Sequence, residues 1–213
     1  MPRLGILGGT FNPPHVGHIA VARAALAQQR LDRVLLMPAN RNPFKDGEPD
    51  PGPLRRLEMC RLACLDQEGV AACGLEIERG GASFTVDTLR SIHAGHPDVA
   101  LTFILGADTA ASLPSWREPR ALAGLAEFAV AARGGAAREH VLQALAPLTA
   151  ELAADSGGGV RVSFLDMPEL DVSASEIRRR IAAGEPYQAL VGPAVASYIA
   201  EQGLYTRDSE AAR

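Results

Sequence analysis

Short apolar runs alternate with stretches of helical periodicity along most of the chain. The runs Leu4–Leu7, Val34–Met37, Ala71–Ile77, Ala100–Leu105, Phe128–Ala131 and Val160–Leu165 predict β-strands. Between them, Ile19–Gln29, Leu54–Asp66, Val86–His93 and Arg138–Ala153 carry the spacing of amphipathic helices. Strands covered on both faces read as continuous apolar runs, and parallel strands need helical crossovers. The pattern therefore predicts an α/β fold with a Rossmann-like, doubly wound parallel sheet whose ligands bind at the carboxyl ends of the strands.

The pattern changes towards the end of the chain. Gly157-Gly158-Gly159 is a loop, and Ser173 with Glu176 fits a capping box that opens a helix running to about Ala183. Gly184, Pro186, Gly192 and Pro193 then punctuate short helices ending near Gln202. Residues 173–206 read as a small helical lobe packed on the sheet, so that 1–206 form a single domain and 207–213 a frayed tail. No internal repeat interrupts this order.

Composition narrows the function classes. At 213 residues, 47% hydrophobic and 22% charged, the chain has the makeup of an ordinary globular domain. A net charge of −4 and a pI near 5.7 argue against a general nucleic-acid binder, and the run Arg178-Arg179-Arg180 is too short to change that. Cys60, Cys64 and Cys73 form no CxxC pair, which suits a reducing compartment, and the i, i+4 spacing of the first two points to core packing. With no membrane-length apolar run and no secretory leader, the expected location is cytoplasmic, without a membrane partner.

The richest segment is Gly8-Gly9-Thr10-Phe11-Asn12-Pro13-Pro14-His15-Val16-Gly17-His18, set between the first predicted strand and helix. It could be an ordinary βα turn with exposed histidines, or a metal site built on His15 and His18. No HExxH pattern and no zinc-spaced Cys/His cluster accompanies it, so no metal ligands are assigned. Phosphate chemistry accounts for the glycines, the prolines and both histidines together. Glycines let backbone N–H groups approach an anion, and a helix N-terminus favours one.

This run resembles the H-x-G-H signature of the adenylyl- and cytidylyltransferase superfamily, and in its full form the bacterial nicotinate mononucleotide adenylyltransferases. It is neither a Walker P-loop nor a GxGxxG dinucleotide fingerprint. The resemblance continues along the chain in order. Pro38-Ala39-Asn40-Arg41-Asn42-Pro43-Phe44-Lys45 is similar to the family's P-x-N-x-x-P loop and its phosphate-binding basic residue. Arg56 occupies the family's arginine position in the next helix. Ser83-Phe84-Thr85 resembles the segment whose backbone amides hold the nicotinate carboxylate, although Ser83 or Thr85 could equally cap a helix.

Gly106-Ala107-Asp108 matches the G-x-D that contacts the adenosine part of ATP, with a helix cap as the competing role of Asp108. The only tryptophan, Trp116, would be core in most proteins; the resemblance implies that it stacks on the pyridine ring. Val172-Ser173-Ala174-Ser175-Glu176-Ile177-Arg178 resembles I-S-x-T-x-I-R, with Ser175 keeping the hydroxyl of the commoner threonine. Arg179 and Arg180 have no counterpart and read as surface residues, and Arg133-Gly134-Gly135 resembles an R-P-G turn, departing from it at Gly134.

The family implies a reaction of ATP with nicotinate mononucleotide giving deamido-NAD and pyrophosphate, with Mg²⁺ arriving on ATP. Gly8, Gly9, Thr10, Phe11, His15, His18, Gly106, Asp108, Ser173, Ser175 and Arg178 are then expected on ATP. Asn40, Lys45, Ser83, Phe84, Thr85 and Trp116 are expected on the mononucleotide. His18, His15, Lys45 and Arg178 are the expected catalytic set. The alternatives are another transferase of the superfamily, such as a phosphopantetheine adenylyltransferase, or a nucleotide-sensing module that has lost catalysis. The sequence leaves oligomeric state open.

Overall fold

The computed structural model describes residues 1–42, 49–132, 134–168 and 170–206. Strands β1 (Arg3–Gly9), β2 (Arg33–Pro38), β3 (Val70–Ala72), β4 (Ala100–Gly106), β5 (Glu127–Ala131) and β6 (Val162–Leu165) form one six-stranded sheet. Its order is β3-β2-β1-β4-β5-β6, with β1 parallel to β4, β4 to β5 and β5 to β6. The chain winds outward from β1 to β3 and then returns to β4, so the order reverses between neighbouring strands β1 and β4. This is the doubly wound arrangement expected from the apolar runs, and ligands of such sheets sit beyond the carboxyl ends at the reversal.

The helices are α1 (Val16–Gln28), α2 (Pro53–Cys64), α3 (Leu75–Arg79), α4 (Thr85–Gly95), α5 (Ala107–Ala111), α6 (Pro119–Leu125), α7 (Gly134–Ser156), α8 (Ala174–Ala183), α9 (Gln188–Val191) and α10 (Pro193–Glu201). The short helices α3, α5 and α6 have too few residues to show a helical period, and the sequence pattern did not separate them. α7 extends beyond its expected bounds and carries Pro147 inside it. Among the described residues no helix is long and apolar enough to cross a membrane.

One strand expectation was wrong. The run Ala71–Ile77 is not continuous strand: β3 is only three residues long, and Leu75 and Ile77 belong to α3. The Cys73 N–H donates to the Leu36 carbonyl, and the next carbonyl, that of Gly74, accepts from the Glu78 N–H and opens the helix. A Cβ on Gly74 would lie 3.0 Å from Leu57 Cδ2, so the turn fits closely against α2. Apolar residues on both sides of such a turn look like one run in sequence.

The chain divides into two compact units. The first takes in Met1–Gly8, Val21–Leu35 and Phe84–Glu169. Ile6, Ile104, Phe128, Ala129 and Val130 are buried on its strands. The second takes in Gly9–Ala20, Leu36–Ser83 and the chain from Leu170. Its buried cluster joins Met59 of α2 to Ile177, Val191, Val195, Ile199, Leu204 and Tyr205 of the helical lobe. The residues 207–213, read from sequence as a tail, lie outside the described residues.

The cap foreseen for α8 is present: Ser173 Oγ accepts from the Glu176 N–H at 3.2 Å. The Glu176 carboxylate turns instead to Arg179 and Arg180, each at 2.8 Å. Those guanidinium hydrogen bonds, from Arg179 first, lower its pKa to about 2. Ile177, fully buried one residue on, anchors α8 in the cluster. Ile177→Ala is expected to cost about 2–5 kcal/mol, read as a lower urea midpoint at an unchanged denaturant slope.

Candidate active site

The loop after β1 is held by arginines from behind. Arg56 lies on the apolar stripe of α2, three residues before Met59 and four before Cys60, and is only 1% exposed. Its guanidinium donates to the carbonyls of Thr10 (2.9 Å), Ala39 (2.7 Å) and Asn40 (3.0 Å), and to Asp50 Oδ1 (2.9 Å). Arg178 Nη1 donates to the Asn12 carbonyl at 2.7 Å, and its Nη2 to Ser175 Oγ at 3.4 Å. In a trans peptide the N–H points opposite the preceding carbonyl, so the Phe11 N–H is turned away from Arg56.

Between these two anchored carbonyls, Phe11 adopts a left-handed backbone (φ 54°) while its side chain is buried. Such a conformation costs of order 1–3 kcal/mol and persists where the surroundings over-determine it. Asn42 Nδ2 donates to Thr10 Oγ1 at 3.2 Å, which fixes the loop from a further side.

The two histidines form a stacked pair, with ring centroids 3.7 Å apart at 24°. The His15 carbonyl accepts the N–H groups of His18 and Ile19, so α1 starts earlier than the sequence pattern predicted and His18 lies in its first turn. The His15 backbone N–H donates to His18 Nδ1 at 3.1 Å. A backbone N–H can only donate, so Nδ1 is unprotonated and the neutral His18 ring carries its proton on Nε2. Phe11 meets the same ring edge-on at 4.8 Å.

Gly17 makes this arrangement possible. A Cβ there would lie 2.9 Å from Val172 Cγ1 and 3.0 Å from His15 Nδ1, so a side chain forces Val172 to shift and crowds the His15 ring. Gly8 has a packing role of the same kind, since its Cβ would come within 2.8 Å of the Phe103 ring.

The second loop brings Asn40 and Ser83 together. Ser83 Oγ accepts the Asn40 N–H at 2.9 Å, and Asn40 Nδ2 donates to the Gly81 carbonyl at 2.8 Å. Neither Ser83 nor Thr85 caps α4: the cap residue is Phe84, without a side-chain cap bond. The capping alternative for Asp108 also falls, because Gly106 is the cap of α5 and Asp108 is an exposed residue of its first turn.

Trp116 is not a core residue. It is partly exposed, meets Phe103 edge-on at 6.1 Å, and donates from Nε1 to Ser112 Oγ at 3.0 Å. The next residue, Arg117, places its guanidinium 4.9 Å from the centre of the Phe84 ring and pairs with Asp87. Arg90 binds both carboxylate oxygens of Glu118, at 3.0 and 2.6 Å, so the segment carrying Trp116 is tied to α4.

The expected site residues thus fall in two groups. Thr10, Phe11, His15, His18, Asn40, Ser83, Ser173, Ser175 and Arg178 belong to the second unit, and Gly9 opens it. Gly8, Phe84, Thr85, Gly106, Asp108 and Trp116 belong to the first. Lys45 and Arg133 lie outside the described residues. Arg56 was the residue that sequence reasoning undervalued, because its position on the buried stripe of α2 was the available signal. Asn12 and Tyr205 received no role at all. Among the described residues no group of three or more His, Cys, Asp or Glu is arranged to hold a metal ion.

The cytidylyltransferase-like family model matches residues 6–180. A protein of Symbiobacterium thermophilum named "probable nicotinate-nucleotide adenylyltransferase" is 39% identical over 207 residues, covering 97% of each chain. One of the same name from Bordetella petrii is 42% identical, covering 96% of this chain and all of its own. The chain belongs to the nicotinate-nucleotide adenylyltransferase family. The fold agrees with that of Plasmodium falciparum nicotinic acid mononucleotide adenylyltransferase complexed with NaAD, at a TM-score of 0.75. That structure covers 96% of this chain and 98% of its own at 18% identity.

The paired histidines are both half-buried. Burial lowers the His15 pKa from 6.5 to about 4. A histidine with a depressed folded pKa has no effect on stability above its unfolded value. It destabilises the fold increasingly as pH falls from 6.5 towards about 4, because the unfolded chain binds the proton first. A ring-proton NMR titration should therefore find His15 neutral down to about pH 5. Titration near the ordinary histidine value would contradict this environment.

Proposed function

We propose that this chain transfers the adenylyl group of ATP to nicotinate mononucleotide, giving deamido-NAD and pyrophosphate. Family membership supports the reaction class, and the bond from the His15 N–H to His18 Nδ1 carries the site assignment. That bond leaves Nε2 as a fixed donor for developing phosphate charge. A phosphate oxygen of the mononucleotide attacks the α-phosphorus, the bond from α-phosphorus to the β-bridging oxygen breaks, and pyrophosphate leaves with that electron pair. The attacking phosphate monoester is largely dianionic at neutral pH, its second pKa being about 6, so no general base is needed. The protein's work is alignment and charge stabilisation.

In this reading His18 donates to the α-phosphate, with His15 alongside it. The amides of Gly8 to Phe11, together with Ser173, Ser175 and Arg178, receive the remaining phosphate oxygens. Gly106 and Asp108 face the adenosine, and Lys45 holds the attacking phosphate. Asn40 and the Ser83–Thr85 amides bind the nicotinate part, and Trp116 supplies a face for the pyridine ring. Mg²⁺ enters as part of the ATP substrate and keeps several of its own waters.

Pyrophosphate release on mixing the protein with Mg-ATP and either pyridine mononucleotide tests the reading directly. Turnover should favour nicotinate over nicotinamide mononucleotide; a preference for the amide refutes the substrate, and no release with either refutes the activity. His18→Ala should lower kcat by about 10²-fold or more while circular dichroism and thermal midpoint stay near those of the parent. Near-normal turnover in that variant would remove His18 from its role.

A further inference from the structure

The C-terminal tyrosine of the described chain reaches the phosphate loop through a single buried side chain. Tyr205 is 5% exposed and Asn12 is 3% exposed. The Tyr205 hydroxyl donates to Asn12 Oδ1 at 2.8 Å, across 193 positions of sequence. Asn12 Nδ2 donates to the Pro49 carbonyl at 2.7 Å, and the Asn12 backbone carbonyl accepts from Arg178. One residue therefore joins the phosphate loop, Pro49, α8 and the end of the helical lobe.

The direction of each bond fixes the amide. Oδ1 can only accept and Nδ2 can only donate, so the Asn12 amide has one orientation that satisfies both partners. Without the tyrosine hydroxyl, Oδ1 becomes a buried acceptor lacking that donor, a situation the side chain relieves by rotating or drawing in water. Tyr205 is itself held in place. Its backbone is left-handed (φ 62°) two residues after Gly203 (φ 58°), and the Leu204 N–H donates to the Ile199 carbonyl at the end of α10. Burial first, then the Asp50 carboxylate, raises the pKa of the Tyr205 hydroxyl against the opposing effect of Arg178 and Arg56, so the hydroxyl stays protonated and can donate.

We propose that Tyr205 is a positioning residue for adenylyl transfer, acting through the Asn12 side chain on the backbone of residues 10–12 and on Arg178. The proposal rests on the function argued above. Tyr205 touches no reacting atom in this scheme. Its hydroxyl keeps the loop that presents His15 and His18, and the guanidinium that faces the leaving group, in one arrangement before substrate arrives.

The test compares the full-length chain with Tyr205→Phe, Asn12→Ala and the double variant. Tyr205→Phe should lower kcat about tenfold while the KM for nicotinate mononucleotide stays within about twofold. In the Asn12→Ala background the same substitution should change kcat little, because the partner through which it acts is gone. Amide hydrogen exchange of residues 9–12 in the ligand-free protein should quicken in Tyr205→Phe, with the core strands unchanged.

Three outcomes would overturn the proposal: unchanged kcat in Tyr205→Phe, full multiplication of the two effects in the double variant, or exchange that is unaltered in the loop. A parent protein that releases no pyrophosphate would sink the functional reading instead. The exchange experiment needs no turnover, and it would then decide the loop tie alone. Should Asn12→Ala fail to fold, Tyr205→Phe removes one oxygen and still separates kcat from KM.

Discussion

The second unit depends on two guanidinium groups turned towards main-chain carbonyls. A buried arginine is costly unless its donors find acceptors, and Arg56 finds three carbonyls and one carboxylate oxygen. The bond to the Ala39 carbonyl is itself buried, where an acceptor left unpaired is costly. Arginine and loop therefore exist in this form only together. The left-handed turn at Phe11, the direction of the Phe11 amide and the approach of Arg178 to Asn12 all belong to the same arrangement.

The histidines extend this logic from backbone to side chain. Stacking at 3.7 Å would bring two positive charges together if both rings were protonated, and the burial that lowers the His15 pKa opposes the charge on that ring. The His15 main chain meanwhile dictates which nitrogen of His18 bears hydrogen. A glycine at position 17 leaves room for the pair against Val172. Preorganisation here means that donor positions, tautomer and ring contacts are set by groups that need not move.

Much of this could be read before any coordinates. Apolar runs located all six strands, Ser173 announced the start of α8, and the glycine–histidine segment marked a loop tied by Asn42, Arg56 and Arg178. What escaped reading depends on partners distant in sequence. The arginine at 56 was assigned a family position, but its burial follows from carbonyls at 10, 39 and 40, which no local pattern reveals. Ser83, expected on the mononucleotide with a helix cap as the competing role, also receives the Asn40 amide, because the parallel bridge between Arg41 and Ala82 brings those segments side by side. β3 was overestimated because a run of apolar letters does not register a turn at Gly74.

The tie between residues 12 and 205 also bears on when the loop acquires its shape. The glycine–histidine segment is synthesised before its partner hydroxyl, which follows 193 residues later. The Arg178 bond to Asn12 spans 166. Contacts at such separations are slow to form because a long loop must close before they contribute. During synthesis the segment can therefore meet Asn42 and Arg56 well before it can meet Arg178 and Tyr205. The loop takes its final shape only after Arg178 and Tyr205 have been made.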